Sequence, residues 1–141
     1  MRWLLLLSLL FSIYRAFSGW FGNKPFSKTD NASRHWTATF SHIQLSIGYL
    51  LWFQSPMVSF FRTHYEAAMK NPELEFFGEI HITLMTIAVI VLTIGSALAK
   101  RKETDKAKFR IMAIMFSLAL LIIFIAIPWP FSPFAHRPYF R

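Results

Sequence analysis

The sequence predicts an all-α fold, a four-helix transmembrane bundle running up-down-up-down with both termini outside, as a single membrane domain over residues 1–141. Three observations predict it. Hydrophobic residues make up 55% of the chain and aromatic residues 18%, against 16% charged, and mean hydropathy is +0.40, which is not the balance of a soluble domain. Four apolar runs are separated by segments rich in Gly, Pro, Asn, Asp and Lys, the chemistry of turns and membrane flanks. Ten of the fifteen Lys and Arg residues sit at one set of run ends: Arg15, Lys24, Lys28, Arg34, Lys100, Arg101, Lys102, Lys106, Lys108 and Arg110. By the positive-inside rule that set faces the cytoplasm, which places the termini and the middle connector outside, in the periplasm if the source is bacterial and the membrane its inner (cytoplasmic) one.

The first helix is expected over about 3–21. Its apolar run from Trp3 to Tyr14 meets Arg15, a snorkelling residue, and then Trp20 and Phe21 at the membrane face. A signal peptide is the competing reading, from the charged start, the short apolar core and the small Ala16 and Ser18 before Gly19. The apolar part falls short of the ~20 residues that a crossing needs. The helix is therefore expected to be completed by residues upstream of Met1 or to end beneath other subunits.

Residues Gly22 to Arg34 are polar and read as a loop; Asn31-Ala32-Ser33 matches a glycosylation acceptor in pattern only. A second helix over 35–54, stopped by Ser55-Pro56, is the most polar of the spans. His35, His42 and Tyr49 recur every seven residues and share a face, with Ser41, Gln44 and Gly48 on the adjoining one. Those faces must look inward, at other helices or at a ligand.

Residues 55–72 mix Met57, Phe60 and Phe61 with Arg62, His64, Glu66 and Lys70, which suits an interfacial connector along the membrane surface. Asn71-Pro72-Glu73 is a helix start, with a capping side chain, proline at the first position and acids near the positive dipole end. The third helix, 73–99, contains the longest apolar run, Glu79–Lys100. Lys100 to Lys108 reads as a charged turn. The fourth helix, 109–127, is stopped by Pro128-Trp129-Pro130, and the aromatic, proline-rich tail 128–141 should hug the interface.

The net charge of +8 and pI near 10.2 follow from membrane flanks, so no nucleic-acid partner is expected. The absence of cysteine excludes disulfides, thiolate metal sites, c-type haem attachment and cysteine nucleophiles. No hydrolase or phosphate-binding motif is present.

An ionisable group inside a span is a functional-site hypothesis, which singles out Glu79 and His81. The plainer reading is a histidine at headgroup level or hydrogen-bonded to a neighbouring helix. Topology puts His42 near the inner start of the second helix and His81 near the outer start of the antiparallel third. Their levels then differ by roughly 10 Å or more, whereas two axial nitrogens on one iron are about 4 Å apart. If both are ligands, they serve separate sites. Around His42 lie His35, Gln44, Met112 and Met115, and around His81 lie Glu79, Met85, His64 and His136. His/Met and His/His pairs are both acceptable axial sets for haem iron. The small residues Ala88 and Gly95 can flank a flat macrocycle or admit a close helix.

The phrases RWLLLL, SGW, KPF-x-K-x-D, SHIQLSIGYLLWFQSP, ELEFFGEIHITLM, TIGSALAKRKETDKAK and IPWPF follow one another across most of the chain. In that order they resemble the small four-span bacterial membrane proteins labelled "cytochrome B". The resemblance implies haem b and electron transfer with a membrane redox partner or quinone. It implies His81 and His42 as haem ligands, with Glu79, Met85, Gln44 and His35 in support and no metal other than haem iron. Two positions depart from the family pattern. Met1 stands where a His-containing segment ends, and Phe109 stands where the fourth helix often carries a histidine. The alternative, from a different class, is a non-catalytic structural or accessory subunit of a larger membrane complex, with both histidines merely hydrogen-bonded. In neither reading is the chain an enzyme on its own, and both share the lipid bilayer as partner. A transporter has the least support, since the spans are unbroken.

Overall fold

The structure, a computed structural model, describes residues 1–128. The described residues are all-helical, with no strand. In chain order they form α1 (Arg2–Phe21), α2 (Lys28–Gln54), α3 (Pro56–Thr63), α4 (Tyr65–Ala68), α5 (Pro72–Glu75), a π-helical turn at Phe76–Ile80, α6 (His81–Arg101) and α7 (Asp105–Ala126). Among the described residues, three helices are long and apolar enough to cross a membrane: α1, the continuous Pro72–Arg101 rod and α7. The fourth long helix, α2, is not among them, because it carries Lys28, Asp30, Arg34, His35, His42 and Gln44. The expected interfacial tail, 128–141, lies outside the described residues apart from Pro128.

Two helices begin earlier than their apolar runs. The loop expected over Gly22–Arg34 ends at Ser27, and α2 starts at Lys28, not at 35, because Ser27 and Asp30 form a capping box. The Ser27 hydroxyl accepts from the Asp30 backbone N–H at 3.3 Å while the Asp30 carboxylate accepts from the Ser27 N–H at 2.9 Å. Likewise α7 starts at Asp105, four residues before the expected 109, because the Thr104 hydroxyl accepts from the Ala107 N–H. The Asn71-Pro72 start forms as expected, with Asn71 accepting from Glu73 and Leu74. The connector is itself largely helical, as α3 and α4.

The four long helices pack in a closed ring in the order α1, α2, α6, α7. Contacts pair rising numbers with falling ones between α1 and α2, between α2 and α6, and between α6 and α7, where His81 meets Ala126 and Gly95 meets Met115. These pairs are therefore antiparallel, and α7 closes the ring antiparallel to α1. His42 with Thr93 and Tyr49 with Thr86 show this for α2 and α6. The core lies along α7, where Phe109, Met112, Ala113, Phe116 and Ala119 meet Leu9 and Ala16 of α1 and Ala88, Leu92 and Ala99 of α6. Two glycines set the spacing. Gly19 receives the ring of Phe109, and Gly95 sits against the Cβ of Met115, with no room for a methyl at either position. Close approach through small residues is the usual way apolar helices associate where no hydrophobic drive separates them from lipid.

The polar helix α2 is held differently, by side-chain clasps. On the α1 side, Ser12 and Thr37 share a buried hydroxyl contact at 2.9 Å, Thr37 donates to the Ser8 carbonyl, and Arg15 donates to Asp30 at 2.7 Å. On the α6 side, Arg34 donates to Ser96, His42 meets Thr93, Tyr49 meets Thr86, and the Trp52 indole donates to the Gly78 carbonyl. Of the heptad face expected to look inward, His42 and Tyr49 engage α6 while His35 is exposed, and on the adjoining face a Cβ at Gly48 meets nothing within 4 Å.

Candidate functional site

His81 is the first residue of α6, immediately after the π-helical turn. Its backbone N–H bonds the Phe76 carbonyl across that wider turn. Turns of this kind recur at functional sites because one extra residue re-aims the side chains that follow. The rings of Phe76 and Phe77 stand 5.7 Å and 6.3 Å from the imidazole, which is half-buried. Its Nδ1 lies 2.7 Å from the carbonyl oxygen of Ala126, at the end of α7. A carbonyl only accepts, so Nδ1 carries the proton and donates. In the neutral ring Nε2 is then the lone-pair nitrogen, held in a fixed direction. Metal-bound imidazoles use the same anchoring of the second nitrogen on a backbone carbonyl.

His42 is arranged the opposite way. Its Nε2 lies 2.9 Å from the Thr93 hydroxyl, and that hydroxyl already donates its single proton to the Val89 carbonyl at 2.6 Å. Nε2 of His42 must therefore be the donor, which leaves Nδ1 as its lone-pair nitrogen. Thr93 is twelve residues beyond His81 on α6, a rise of about 18 Å at ~1.5 Å per residue. The two histidines are not brought to one site.

No family model, curated protein or solved structure matches this chain. The site must therefore be judged on its own donors and spaces. The donor chemistry of His81 fits a haem iron, through a bare and oriented Nε2. That of His42 fits an interhelical hydrogen bond. The remaining residues singled out from the sequence do not gather round either ring. Glu79 is exposed and forms no ion pair among the described residues, and Met85 packs half-buried against the core. His35 is exposed beside the Trp36 ring, and His64 is exposed and stacked on Phe60. His136 lies outside the described residues. Gln44 is half-buried with its Oε1 oriented into a position without a hydrogen-bond partner. Among the described residues, no group of three His, Asp or Glu residues is placed to hold a metal ion.

The small stripe Ala88 and Gly95 faces α7 and is filled by it, which favours close packing over a flanking macrocycle. Phe109 fills the notch of Gly19 and tilts against Phe26 at 4.9 Å. Two cavities, of about 270 and 250 Å³, lie at the end of the bundle away from His81, and neither is lined by a histidine. Sequence reasoning missed the polar centre at this end, Arg15 with Asp30 and Arg34 with Asn31 and Ser96. The signal for it was Ser27-x-x-Asp30, a capping-box spacing inside a segment that otherwise reads as loop.

Proposed function

We propose that the chain is a four-span bundle of the bacterial inner membrane, with both termini outside, and that it serves electron transfer as a small b-type cytochrome with His81 as the haem ligand. The observation that carries this reading is the anchoring of His81 Nδ1 on the Ala126 carbonyl, which leaves Nε2 as the lone-pair nitrogen, without a hydrogen bond among the described residues. A haem on that nitrogen would supply one-electron redox chemistry, passed on to quinone or a membrane redox partner. The chain's own contribution is to fix the tautomer and direction of the ring and to shield it with Phe76 and Phe77. In this reading α2 crosses the membrane too, with Thr37, Arg34, His42, Tyr49 and Trp52 bonded to α1, to α6 or to the π-helical turn before it.

The test is a dithionite-reduced minus oxidised spectrum of the detergent-purified protein. Soret and alpha bands are expected in the wild type and in His42→Ala, and are expected to vanish in His81→Ala. A colourless wild-type preparation overturns the haem reading. The second reading is an accessory or structural membrane subunit without cofactor. It is favoured by the tight seat of Gly95 on Met115 and by the engagement of His42 with Thr93. Sidedness is tested separately. A reporter fused after Arg141 is expected in the periplasm and one inserted between Lys102 and Thr104 in the cytoplasm, and the reverse result overturns the orientation.

A further inference from the structure

We propose that the cavity of about 270 Å³ between the start of α2 and the end of α6 binds a phosphate anion, presented in the membrane by the headgroup of an acidic phospholipid. The cavity is lined by Lys28, Asn31, Lys100 and Lys108 over the side of Phe26. Lys28 and Lys100 form no ion pair among the described residues. Lys108 sits over the Phe26 ring at 5.4 Å and is only 3.5 Å from the exposed carboxylate of Asp105. Three lysines thus line one recess, and among the described residues only Lys108 is paired with an acid, the exposed Asp105.

The second observation lies behind the wall of the recess. Arg34 is only 6% exposed, yet every acceptor of its guanidinium is neutral. Nε and Nη2 donate to the Asn31 side-chain oxygen at 3.2 and 2.8 Å, and Nη1 donates to the Ser96 carbonyl at 3.1 Å and to its hydroxyl at 2.6 Å. The nearby buried carboxylate, Asp30, is committed to Arg15 and Ser27. A buried cation without a counter-charge is costly, and a permanently charged guanidinium has no protonation route to relieve the cost. An anion in the recess supplies the missing charge.

Asn31 connects the two. Both contacts from Arg34 fall on its side-chain oxygen, its amide nitrogen makes no hydrogen bond among the described residues, and Asn31 lines the recess. Ser27, by contrast, spends its hydroxyl proton on the Asp30 carboxylate, and its hydroxyl oxygen already caps the first turn of α2 by accepting from the Asp30 N–H. The anion is therefore held by ammonium and amide groups and not by the helix end. The recess opens where the spanning α6 ends in Lys100 and Arg101, the level of lipid phosphates, and basic recesses between helices at that level recognise acidic headgroups.

The experiment uses the full chain in neutral detergent, with thermal midpoint and lipid retention in native mass spectrometry as readouts. Phosphatidylglycerol is expected to raise the midpoint and to be retained, and phosphatidylcholine is expected to do neither. The double variant Lys28→Gln/Lys100→Gln is expected to bind phosphatidylglycerol roughly 30-fold more weakly, from ~1 kcal/mol for each of the two lysines at a membrane surface. The variant Arg62→Gln/Lys70→Gln, at the other end of the bundle, is expected to bind as the wild type does. If inorganic phosphate reproduces the shift, the recess takes the free anion as well as the headgroup; if only phosphatidylglycerol does, the lipid is the ligand. Equal responses to the two lipids, or equal losses in the two double variants, would show bulk adsorption and overturn the site.

Discussion

Gly95→Leu is expected to lower the thermal midpoint of the detergent-solubilised protein further than any other single substitution in α6. At Gly95 the two helices α6 and α7 lie so close that an added Cβ overlaps the Cβ of Met115, with Phe116 Cδ1 at 3.7 Å. The clashing atom is joined directly to the α7 backbone, so no rotamer change removes it. The two helices must separate along the core formed by Ala88, Leu92, Met112 and Phe116. Forcing extra carbons into a packed core costs about 1–3 kcal/mol, and the upper end is expected here because the strain falls on backbone spacing. Gly95→Ala makes the same first clash but regains about 1 kcal/mol of helix propensity, so its loss should be smaller. Gly48→Ala is the control of opposite sign, since a Cβ at that position meets nothing within 4 Å. It should leave the midpoint unchanged or raise it. Wild-type melting of Gly95→Leu would mean that α6 and α7 do not pack as described.

The contrast between these glycines explains what the sequence could and could not say. The long helices were legible because apolar periodicity reports which segments must be buried, and the ends after Gln54 and Ala126 were legible from the prolines at 56 and 128. The start of α2 was not. Lys28 to Arg34 is polar throughout, and only the reciprocal bonding of Ser27 and Asp30 turns that composition into helix. The inward face of His42 and Tyr49 was readable from its heptad spacing, but its partners were not. Thr86 and Thr93 each donate to the carbonyl one turn back, so in sequence they pass as threonines satisfied by their own helix. With their protons spent, their hydroxyl oxygens can still accept, and that is the contact α2 uses. The π-helical turn that aims His81 has no residue signature beyond Gly78, which packs against Phe61. Arg34 was misread for another reason. Counted as one of ten flanking cations it describes topology, and only its burial against neutral acceptors reveals an unbalanced charge.

The pair Arg15 and Asp30 carries the second large effect, and its two members should not be equivalent. Asp30 is 1% exposed at its side chain while Arg15 is 35% exposed, so each single substitution strands a different charge. Asp30→Asn leaves a guanidinium that can turn to water. Arg15→Met leaves a buried carboxylate with only Ser27 as donor, at 2.9 Å from its N–H and 2.6 Å from its hydroxyl. Breaking a buried pair in that way costs about 3 kcal/mol or more, against about 1 kcal/mol for the loss of a cap. Arg15→Met is therefore expected to be the more destabilising at neutral pH. The pH dependence separates the two causes. Burial opposes ionisation of Asp30, but the hydrogen bonds from Arg15 and Ser27 outweigh it and hold the carboxyl below the usual carboxylate range. A depressed folded-state pKa means that this stabilisation is fully present above the unfolded pKa and is lost as pH falls through the folded one. In Arg15→Met burial is no longer outweighed by a cation, and protonation of Asp30 relieves the stranded charge. Midpoints of wild type and Arg15→Met should thus differ most at pH 7 and converge as the pH approaches 4, while the deficit of a packing variant such as Gly95→Leu should not change with pH. A gap for Arg15→Met that stays constant over that range would mean that lost side-chain packing, not charge, holds α1 to the start of α2.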